Sequence, residues 1–348
     1  SGRLERSTQA TMATKTTSAS RDSTRINHIG AFWALLLSTP LAWGQAAPWW
    51  PARWSDLPGW GSDAVEQLWP QLRQQCQKPR PAWLRWCRQL PAQPLDALQA
   101  HGWLMQTLQP YRVGGDDATG LLTGYFEPQL TARRQRDERF HVPLLDARRQ
   151  PLLYLDDPLD AVLLQVQGSG RVSVSEPDGR VRERRVAWAG HNHQPFRSLA
   201  AWLIEQGALR EGQASWRAVR AWGLQNPERI AELLAANPRV VYFREEALDD
   251  PAVGPRGAMG WPLTPQRSVA VDPRAVPYGT PLWIDSELPL SSQPLRRLVL
   301  AQDTGSAIVG SVRADYFWGW GDAAFAQAGR TKQPLRWWAL WPKDERTP

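Results

Sequence analysis

The last third of the chain consists of short apolar segments separated by glycine and proline, and it leaves almost no room for a helix. After residue 254, the longest stretch that suits a helix is 322–329. Short strands must bury two faces and hide their edges, and closure into a barrel does both. The pattern therefore predicts a small closed β-barrel, built from the segments SVAVD (268–272), TPLWI (280–284), RLVLAQD (297–303), RADYF (313–317) and LRWWALW (335–341).

Composition excludes several classes of protein. The chain has 348 residues, a mean hydropathy of −0.47, two cysteines and five histidines. These values exclude a polytopic membrane protein, a disulfide-dense scaffold and a cysteine-ligated zinc domain. The formal net charge of +7 favours an anionic partner, but the arginines do not form a nucleic-acid-binding arm and indicate a solvated basic surface. The 21 tryptophans suit a core, although indole rings also stack well on sugars.

Residues 1–47 are predicted to be a disordered leader followed by a secretory signal peptide. A basic segment after Met12 precedes the apolar stretch 29–41, and small residues follow it. This order is typical of a signal peptide, and the apolar stretch is too short to span a membrane. We therefore expect export to the periplasm, with a mature start between Gln45 and Trp50. No cysteine lies there to carry a lipid, and association with the outer membrane is left open.

An oxidising compartment would allow a disulfide. Cys76 and Cys87 are candidates for a bridge that closes a small loop, and two buried free thiols are the alternative.

The middle of the chain mixes helical and strand patterns. A turn cluster, EPDG at 176–179, lies between two strand-like segments and predicts a hairpin. Asn226 followed by Pro227 marks a helix start. The predicted elements are helices at 63–75 and 94–109, a strand at 121–128, a polar loop region at 132–158, strands at 161–167, 171–174 and 180–188, helical structure at 197–236 and a strand at 239–243.

Three aspartates lie in or directly after the predicted barrel strands. Asp272 ends SVAVD, Asp303 ends LVLAQD, and Asp315 lies in RADYF. Strand ends that converge on one barrel rim would place these carboxyl groups in one cleft, where like charges and apolar walls raise the pKa of a carboxyl. A carboxyl that stays protonated near neutral pH is the general acid that glycosidic bond cleavage needs. The alternative is that each aspartate only caps a turn.

The sequence gives less support to a serine nucleophile, a metal site or a nucleotide-binding site. Gly168-Ser169-Gly170 lacks the spacing of a serine nucleophile elbow. His191 and His193 have no acidic or thiol neighbour in the sequence to complete a metal site. The sequence contains neither a phosphate-binding loop nor a dinucleotide-binding motif. We therefore expect no cofactor, no metal and no nucleic-acid partner.

Five separated motifs together resemble one known family. They are LTGYFEP (122–128), VQGSGRV (166–172), AGHNHQPFRSLA (189–200) and the runs 254–284 and 301–329. They are similar to the MltA family, the membrane-bound lytic murein transglycosylases A of Gram-negative bacteria. The C-terminal part resembles the 3D domain of that family, which is named for three aspartates.

The resemblance implies a mainly β fold. Its core is a double-psi β-barrel, with a second β-rich domain inserted into it, a few helices and a groove between the two. In this chain the implied segments are the first barrel part at 48–130, the insert at 131–243, the second barrel part at 244–342 and a tail at 343–348.

The resemblance also implies a reaction on peptidoglycan glycan strands. The muramyl 6-hydroxyl attacks its own anomeric carbon and leaves a 1,6-anhydro end, so the enzyme needs no nucleophile of its own. One aspartate serves as acid and then as base, a role that carries over to Asp315. Asp303 would be its close partner and Asp272 a supporting carboxylate. Other cell-wall enzymes are possible further partners.

Substrate-binding residues are expected in the motif loops, where binding groups concentrate. Amide and hydroxyl groups suit the N-acetyl and hydroxyl groups of the sugars. The candidates for the groove are Tyr125, Gln167, Gly168, Ser169, His191 and Asn192.

Two alternatives to the transglycosylase remain at this stage. The first is a glycoside hydrolase, acting on peptidoglycan or a chitin-type glycan, in which Asp315 and Asp303 activate water. The second is a non-catalytic barrel that binds the cell wall, which the three intact motif aspartates disfavour.

Overall fold

The structure is a computed structural model that describes residues 48–115 and 118–348, so the predicted leader and signal peptide lie outside the described residues. The strands are β1 (Trp49–Pro51), β2 (Leu108–Val113), β3 (Gly120–Glu127), β4 (Gln129–Arg133), β5 (Val142–Leu145), β6 (Pro151–Leu155), β7 (Ser169–Ser175), β8 (Val181–His191), β9 (Val241–Ala247), β10 (Ser268–Val271), β11 (Pro281–Glu287), β12 (Pro294–Asp303), β13 (Arg313–Trp320) and β14 (Lys332–Pro342). The α-helices are α1 (Trp69–Gln75), α2 (Leu84–Gln89), α3 (Ala97–Thr107), α4 (Pro158–Gln167), α5 (Leu199–Glu205), α6 (Trp216–Gln225), α7 (Ile230–Ala235) and α8 (Gly321–Ala328).

The predicted C-terminal barrel is confirmed. Its six strands follow the order β14-β11-β12-β10-β13-β3, and pairing between β14 and β3 closes the ring. Five of these strands come from the C-terminal third of the chain, whereas β3 comes from the LTGYFEP motif. Strands β1 and β2 extend the sheet beside β14. The double-psi crossing of the chain stays a prediction.

The barrel strands have apolar residues at consecutive positions because both of their faces are buried. In β11, Leu282 and Ile284 belong to the interior core of the barrel, while Trp283 between them joins a second core. That second core lies under the N-terminal helices and includes Trp69 and Leu104. Alternation along each strand thus supplies one layer of side chains to the interior and one to the helical cover.

A second six-stranded sheet, in the order β5-β6-β4-β7-β8-β9, forms a nearly closed barrel with its own core. It extends over residues 129–247, slightly beyond the predicted insert. The predicted hairpin is confirmed as β7 and β8, joined through the turn at Glu176, whose N–H binds the Arg180 carbonyl oxygen at 2.8 Å. Helices α5–α7 pack around a separate cluster that includes Trp202 and Trp222.

Two predictions for the middle of the chain are wrong. The segment 161–167 forms most of α4 rather than a strand. Asp157 caps this helix by accepting the N–H of Leu159 at 2.8 Å, and Pro158 occupies its first turn. Because the helix is buried between the second sheet and the neighbouring helices, it is apolar on most sides, and periodicity does not separate such a run from a buried strand. The predicted polar loop at 132–158 contains β5 and β6, two short apolar strands set between polar segments rich in Arg and Asp.

The N-terminal helices are shorter than predicted. The first predicted helix divides into a 3₁₀ turn at Val65–Leu68 and α1. In α3, Asp96 and Gln99 form a capping box, so the helix begins at Ala97 rather than at the preceding proline. Asn226 occupies the predicted cap position, but it precedes a 3₁₀ turn and its side chain donates to the Trp222 carbonyl oxygen.

Cys76 and Cys87 form the predicted disulfide, with Cα atoms 5.3 Å apart. It closes a short loop between α1 and α2. The alternative of two free thiols is therefore wrong.

Most tryptophans serve the core. Ten of the indole side chains in the described residues are buried, whereas those of Trp50 and Trp188 are about half exposed. No helix in residues 48–115 or 118–348 is both long and apolar enough to cross a membrane.

Candidate active site

Sheet topology brings the three motif aspartates to one edge of the barrel. Strands β10 and β12 are parallel, and β13 runs antiparallel to β10. The ends of β10 and β12 therefore lie beside the start of β13. Ala270 is in register with Asp303 on one side and with Asp315 on the other. Because neighbouring strands lie about 4.8 Å apart, the Cα atoms of the two aspartates are separated by about 10 Å.

Asp315 has the properties of a proton donor. Its side chain lies on the outer face of the barrel wall, between the interior residues Ala314 and Tyr316, and is partly exposed. Loss of solvation raises its pKa to about 6, and the negative charge of Asp303 acts in the same direction. Thr123 opposes the shift, because its hydroxyl donates to Asp315 Oδ1 at 2.7 Å.

Thr123 also connects Asp315 to a cation. Arg313 Nη1 donates to Thr123 Oγ1 at 3.0 Å, so the hydroxyl accepts from the guanidinium and donates to the carboxyl. Arg313 lowers the pKa of Asp315 through space, but no ion pair joins the two within the described residues. The carboxyl is thus polarised by a cation and is not neutralised by direct contact with it.

Asp303 accepts hydrogen bonds from two protein donors. Its Oδ2 accepts from the Tyr125 hydroxyl at 2.9 Å, and its Oδ1 accepts from the Ala258 N–H at 2.9 Å. Burial raises the pKa of Asp303, and both hydrogen bonds oppose that shift. These donors stabilise the ionised form of Asp303 against the effect of burial.

Tyr125 lies close to both carboxyls. Its hydroxyl donates to Asp303, and burial together with the charges of Asp303 and Asp315 raises its pKa well above the usual value. Thr123 and Tyr125 alternate on the outer face of β3, in register with Asp315 and Phe317 respectively.

Asp272 differs from the other two aspartates. Its carboxylate accepts from Arg274 Nη2 at 2.8 Å and from the Gly310 N–H at 3.0 Å. The Arg274 hydrogen bond is the main reason why the pKa of Asp272 falls to about 2. Such a group holds no proton to donate near neutral pH. Asp272 instead fixes the loop between β12 and β13 through Gly310, and its supporting part in catalysis stays a prediction.

Three of the predicted binding residues lie where α4 ends against the barrel. Gln167 Oε1 accepts the Phe126 N–H at 3.1 Å, beside Tyr125. Gly168 ends α4 in the left-handed conformation that glycine favours, with φ of 79°. Ser169 begins β7 and is buried. The half-exposed Trp188 joins this group through its backbone N–H, which donates to the Gly168 carbonyl oxygen at 2.8 Å.

The remaining two binding candidates lie at the end of β8. His191 Nδ1 accepts the N–H of His193 at 2.9 Å. The Asn192 side chain donates to the Pro238 carbonyl oxygen at 2.9 Å and accepts the Val240 N–H at 3.0 Å. These bonds anchor the turn after β8, so the Asn192 amide is already engaged with the backbone. Sugar contact by either residue stays a prediction.

A buried ionic cluster that no sequence pattern predicted lies between the two sheets. Glu127, fully buried on β3, accepts from Arg171 Nε at 2.8 Å and from Arg185 Nε at 2.5 Å. Both guanidinium groups also donate to the Val253 carbonyl oxygen. We call Glu127, Arg171 and Arg185 the junction cluster. Arg185 was expected on a solvated basic surface, and it is buried instead because the second sheet places it against Glu127.

Thr123 and Arg313 were missed as well. Alternation along LTGYFEP places Thr123 on the face of Tyr125, a signal that was available in the sequence. Its pairing with Asp315 was not available, because the two residues are 192 positions apart.

Comparisons with known proteins agree with this architecture. The profile of the MltA specific insert domain matches residues 145–244, and that of the 3D domain matches residues 267–341. A membrane-bound lytic murein transglycosylase A of Vibrio cholerae is 31% identical over 282 residues, which is 70% of this chain and 74% of that protein.

Solved structures give the same result. The lytic transglycosylase LtgG of Burkholderia pseudomallei is 40% identical, covers 86% of this chain and 97% of its own, and has a TM-score of 0.61. MltA of E. coli with bound chitohexaose is 25% identical, covers 86% of this chain and 92% of its own, and has a TM-score of 0.62. With its insert domain, its 3D domain and these relatives, the chain belongs to the MltA family of lytic murein transglycosylases.

Proposed function

We propose that this protein cleaves peptidoglycan glycan strands as a lytic transglycosylase, with Asp315 as the single acid and base. The observation that carries the assignment is the environment of Asp315. Its carboxyl is partly accessible, has a pKa of about 6 and lies beside a second carboxyl without a cation in direct contact. Family membership and the chitohexaose bound by a relative support a glycan of N-acetylated sugars as the substrate.

The first half of the reaction breaks the bond between the muramyl anomeric carbon and the glycosidic oxygen. Asp315, protonated, donates its proton to that oxygen, which leaves with the bonding electron pair. Positive charge develops on the sugar ring, as in other glycosidic cleavages. The ionised Asp303, held by Tyr125 and the Ala258 N–H, stabilises that charge.

The second half closes the ring. The muramyl 6-hydroxyl oxygen bonds to the anomeric carbon, and its proton passes to the Asp315 carboxylate. Atoms balance without water, and Asp315 returns to its starting protonated form. Because the attacking hydroxyl belongs to the same sugar, its effective concentration is high, and the protein supplies only orientation and proton transfer.

We assign substrate contact to the region where Tyr125, Gln167, Ser169 and Trp188 come together. This region links the outer face of β3 to the end of α4. The half-exposed indole of Trp188 offers a flat apolar surface for a sugar ring. His191 lies three residues further along β8. We place these groups in a groove between the barrel and the second sheet. The second sheet belongs to the insert, which we assign to residues 131–243.

Export through the predicted signal peptide and action in the periplasm are part of this proposal. The names of the relatives are consistent with a membrane-associated enzyme of the cell envelope. The proposal also includes association with other cell-wall enzymes.

Mass spectrometry of digested peptidoglycan tests the proposal. Anhydro products are one water lighter than the products of hydrolysis, so the two mechanisms separate cleanly. We expect 1,6-anhydromuramyl ends throughout. Reducing ends would instead establish the hydrolase, and an intact substrate with retained binding would establish the non-catalytic barrel.

A further inference from the structure

A basic cavity is lined in part by the loop whose backbone binds Asp303. Its volume is about 380 Å³. Three cations and one aromatic ring contribute to its walls, and the lining residues are Lys78, Arg80, Arg256, Met259, Gly260 and Trp261.

The loop that forms one wall also holds Asp303. The Ala258 N–H binds Asp303 Oδ1 at 2.9 Å, and the Met259 N–H binds the Gln302 carbonyl oxygen at 2.9 Å. Gly257 packs so closely on this strand that an added Cβ would lie 2.5 Å from the Gln302 oxygen. This wall of the cavity is therefore fixed to the strand that carries Asp303.

The three cations lack carboxylate partners in the described part of the chain. Arg256 Nη1 donates to the Gly260 carbonyl oxygen at 3.1 Å, and Arg80 lies over the Tyr278 ring at 5.3 Å. Lys78 makes no ion pair within residues 48–115 and 118–348. Many other arginines in this protein do pair with an acid, such as Arg85 with Asp344. Three cations without acids around one cavity form a site of positive potential.

A second, narrow cavity shares Lys78, Arg80 and Met259 with this one and is also lined by Gln75. The Gln75 side chain is buried, with 3% exposed, and its Nε2 has no hydrogen-bond acceptor. A buried donor without a partner is costly, and it is satisfied when an oxygen enters beside it. The disulfide between Cys76 and Cys87 closes the loop that carries both Lys78 and Arg80, which limits their freedom.

We propose that this cavity binds a carboxylate carried by the glycan strand, on a substituent of the sugar next to the cleaved bond. The inference rests on the proposed function. The backbone of N-acetylated sugars is neutral, whereas muramyl residues bear a lactyl group that ends in a free carboxylate or continues into a peptide with carboxylates. Three cations around a cavity whose wall binds Asp303 are a site for such a group, and Met259 and Trp261 offer apolar contact to its carbon chain. The cavity would thus distinguish murein from chitin-type glycans.

Binding measurements test this proposal. Calorimetry on an Asp315→Asn background, in which strands persist, gives Kd for three ligands. These are an N-acetylglucosamine hexamer, murein oligosaccharides stripped of peptide, and the same strands with peptide. The test variants are Lys78→Gln/Arg80→Gln and Arg256→Gln. Arg85→Gln is the matched control, because it removes one charge from the same disulfide loop but does not line the cavity.

We expect Kd for a carboxylate-bearing strand to rise about fivefold for each charge removed at low salt. The difference should shrink near 1 M NaCl, where the Debye length is about 3 Å. The hexamer should bind all variants equally. An effect confined to stripped strands identifies the lactyl carboxylate, one confined to peptide-bearing strands identifies the peptide, and an effect on both identifies a site that accepts either.

Two results would overturn the proposal: an unchanged Kd for both anionic ligands, or an equal weakening of the neutral hexamer. Failure of the proposed function has a different signature, namely the absence of anhydro products from the wild-type protein. The Kd values test the cavity even if the protein forms no anhydro products, because the measurement requires binding but no turnover.

Discussion

The outer face of β3 carries two contrasting sites within five residues. At one end, Thr123 and Tyr125 contact Asp315 and Asp303, which have no guanidinium in direct contact within the described residues. At the other end, Glu127 is clamped by two arginines in the junction cluster. All of these acids are largely withdrawn from water, so burial alone does not distinguish them.

The difference lies in the compensating charge. Desolvation favours the neutral form of a carboxyl, and a directly bound guanidinium favours the ionised form. Asp315 experiences mainly the first effect and has a pKa near 6. Asp272, bound by Arg274, experiences mainly the second and has a pKa of about 2. Where a carboxyl lacks a direct cation it is poised for proton transfer, and where it has one it holds the architecture together.

The largest expected effect comes from Asp315→Asn. Turnover should fall by about 10² to 10⁴-fold, because the amide keeps the shape but cannot exchange a proton. Folding should persist, since the substitution removes a carboxyl that is costly to ionise in its buried position. Product release by chromatography and thermal unfolding measure the two outcomes.

Asp322→Asn, on the exposed start of α8, is the matched control and should retain full activity. Near-normal activity of Asp315→Asn together with an inactive Asp303→Asn would disprove this assignment, because the acid and base would then be Asp303.

Glu127→Gln should be the most damaging change to stability. It leaves Arg171 and Arg185 buried without a negative charge, which costs about 3–5 kcal/mol of unfolding free energy. Urea unfolding measures this, with Glu228→Gln at an exposed position as the control. A loss below about 1 kcal/mol would mean that carbonyl oxygens such as that of Val253 compensate the two cations by themselves.

Asp272→Asn should have a smaller effect on stability and the mildest effect on activity of the three motif aspartates. Its folded pKa is depressed, so the ionised group adds stability above the unfolded value near 3.8, and that stability is lost as the pH falls through about 2. We expect a loss of about 1–2 kcal/mol at pH 7, since Arg274 is largely exposed and screened. In unfolding experiments at decreasing pH, the difference in unfolding free energy between the variant and the wild type should become smaller. A difference that stays constant with pH would disprove the link between the ionisation of Asp272 and stability.

The smallest change is in pH dependence. Since the acid form of Asp315 is required, kcat/KM should decline as the pH rises above about 6. Thr123→Val removes a hydrogen bond that lowers this pKa, so the decline should move to higher pH. Thr123→Ser keeps the hydroxyl and should restore the original profile. If the pH dependence of kcat/KM were the same in Thr123→Val as in the wild type, the decline above about pH 6 would belong to a group other than Asp315.

Much of the barrel could be predicted from sequence because alternation and turn residues act locally. SVAVD, TPLWI and LRWWALW contain β-branched or aromatic residues and are bounded by glycine or proline, and all three lie in barrel strands. The failures have equally local causes. The segment 161–167 is apolar throughout, and a buried helix and a buried strand look alike in such a run. Strands β5 and β6 have only four and five residues and lie within a segment rich in Arg and Asp, so the segment resembles a loop.

The sequence by itself determined which residues are candidates for the chemistry, since the three aspartates and the motif loops are visible without a structure. It also contained the local partner of Asp272, because Arg274 is two residues away. Only the tertiary structure decided how the aspartates differ. Tyr125 reaches Asp303 across 178 positions, and Arg185 reaches Glu127 across 58. The pKa of a buried carboxyl depends on which donors and cations surround it in space, and those neighbours are fixed by strand register rather than by distance along the chain.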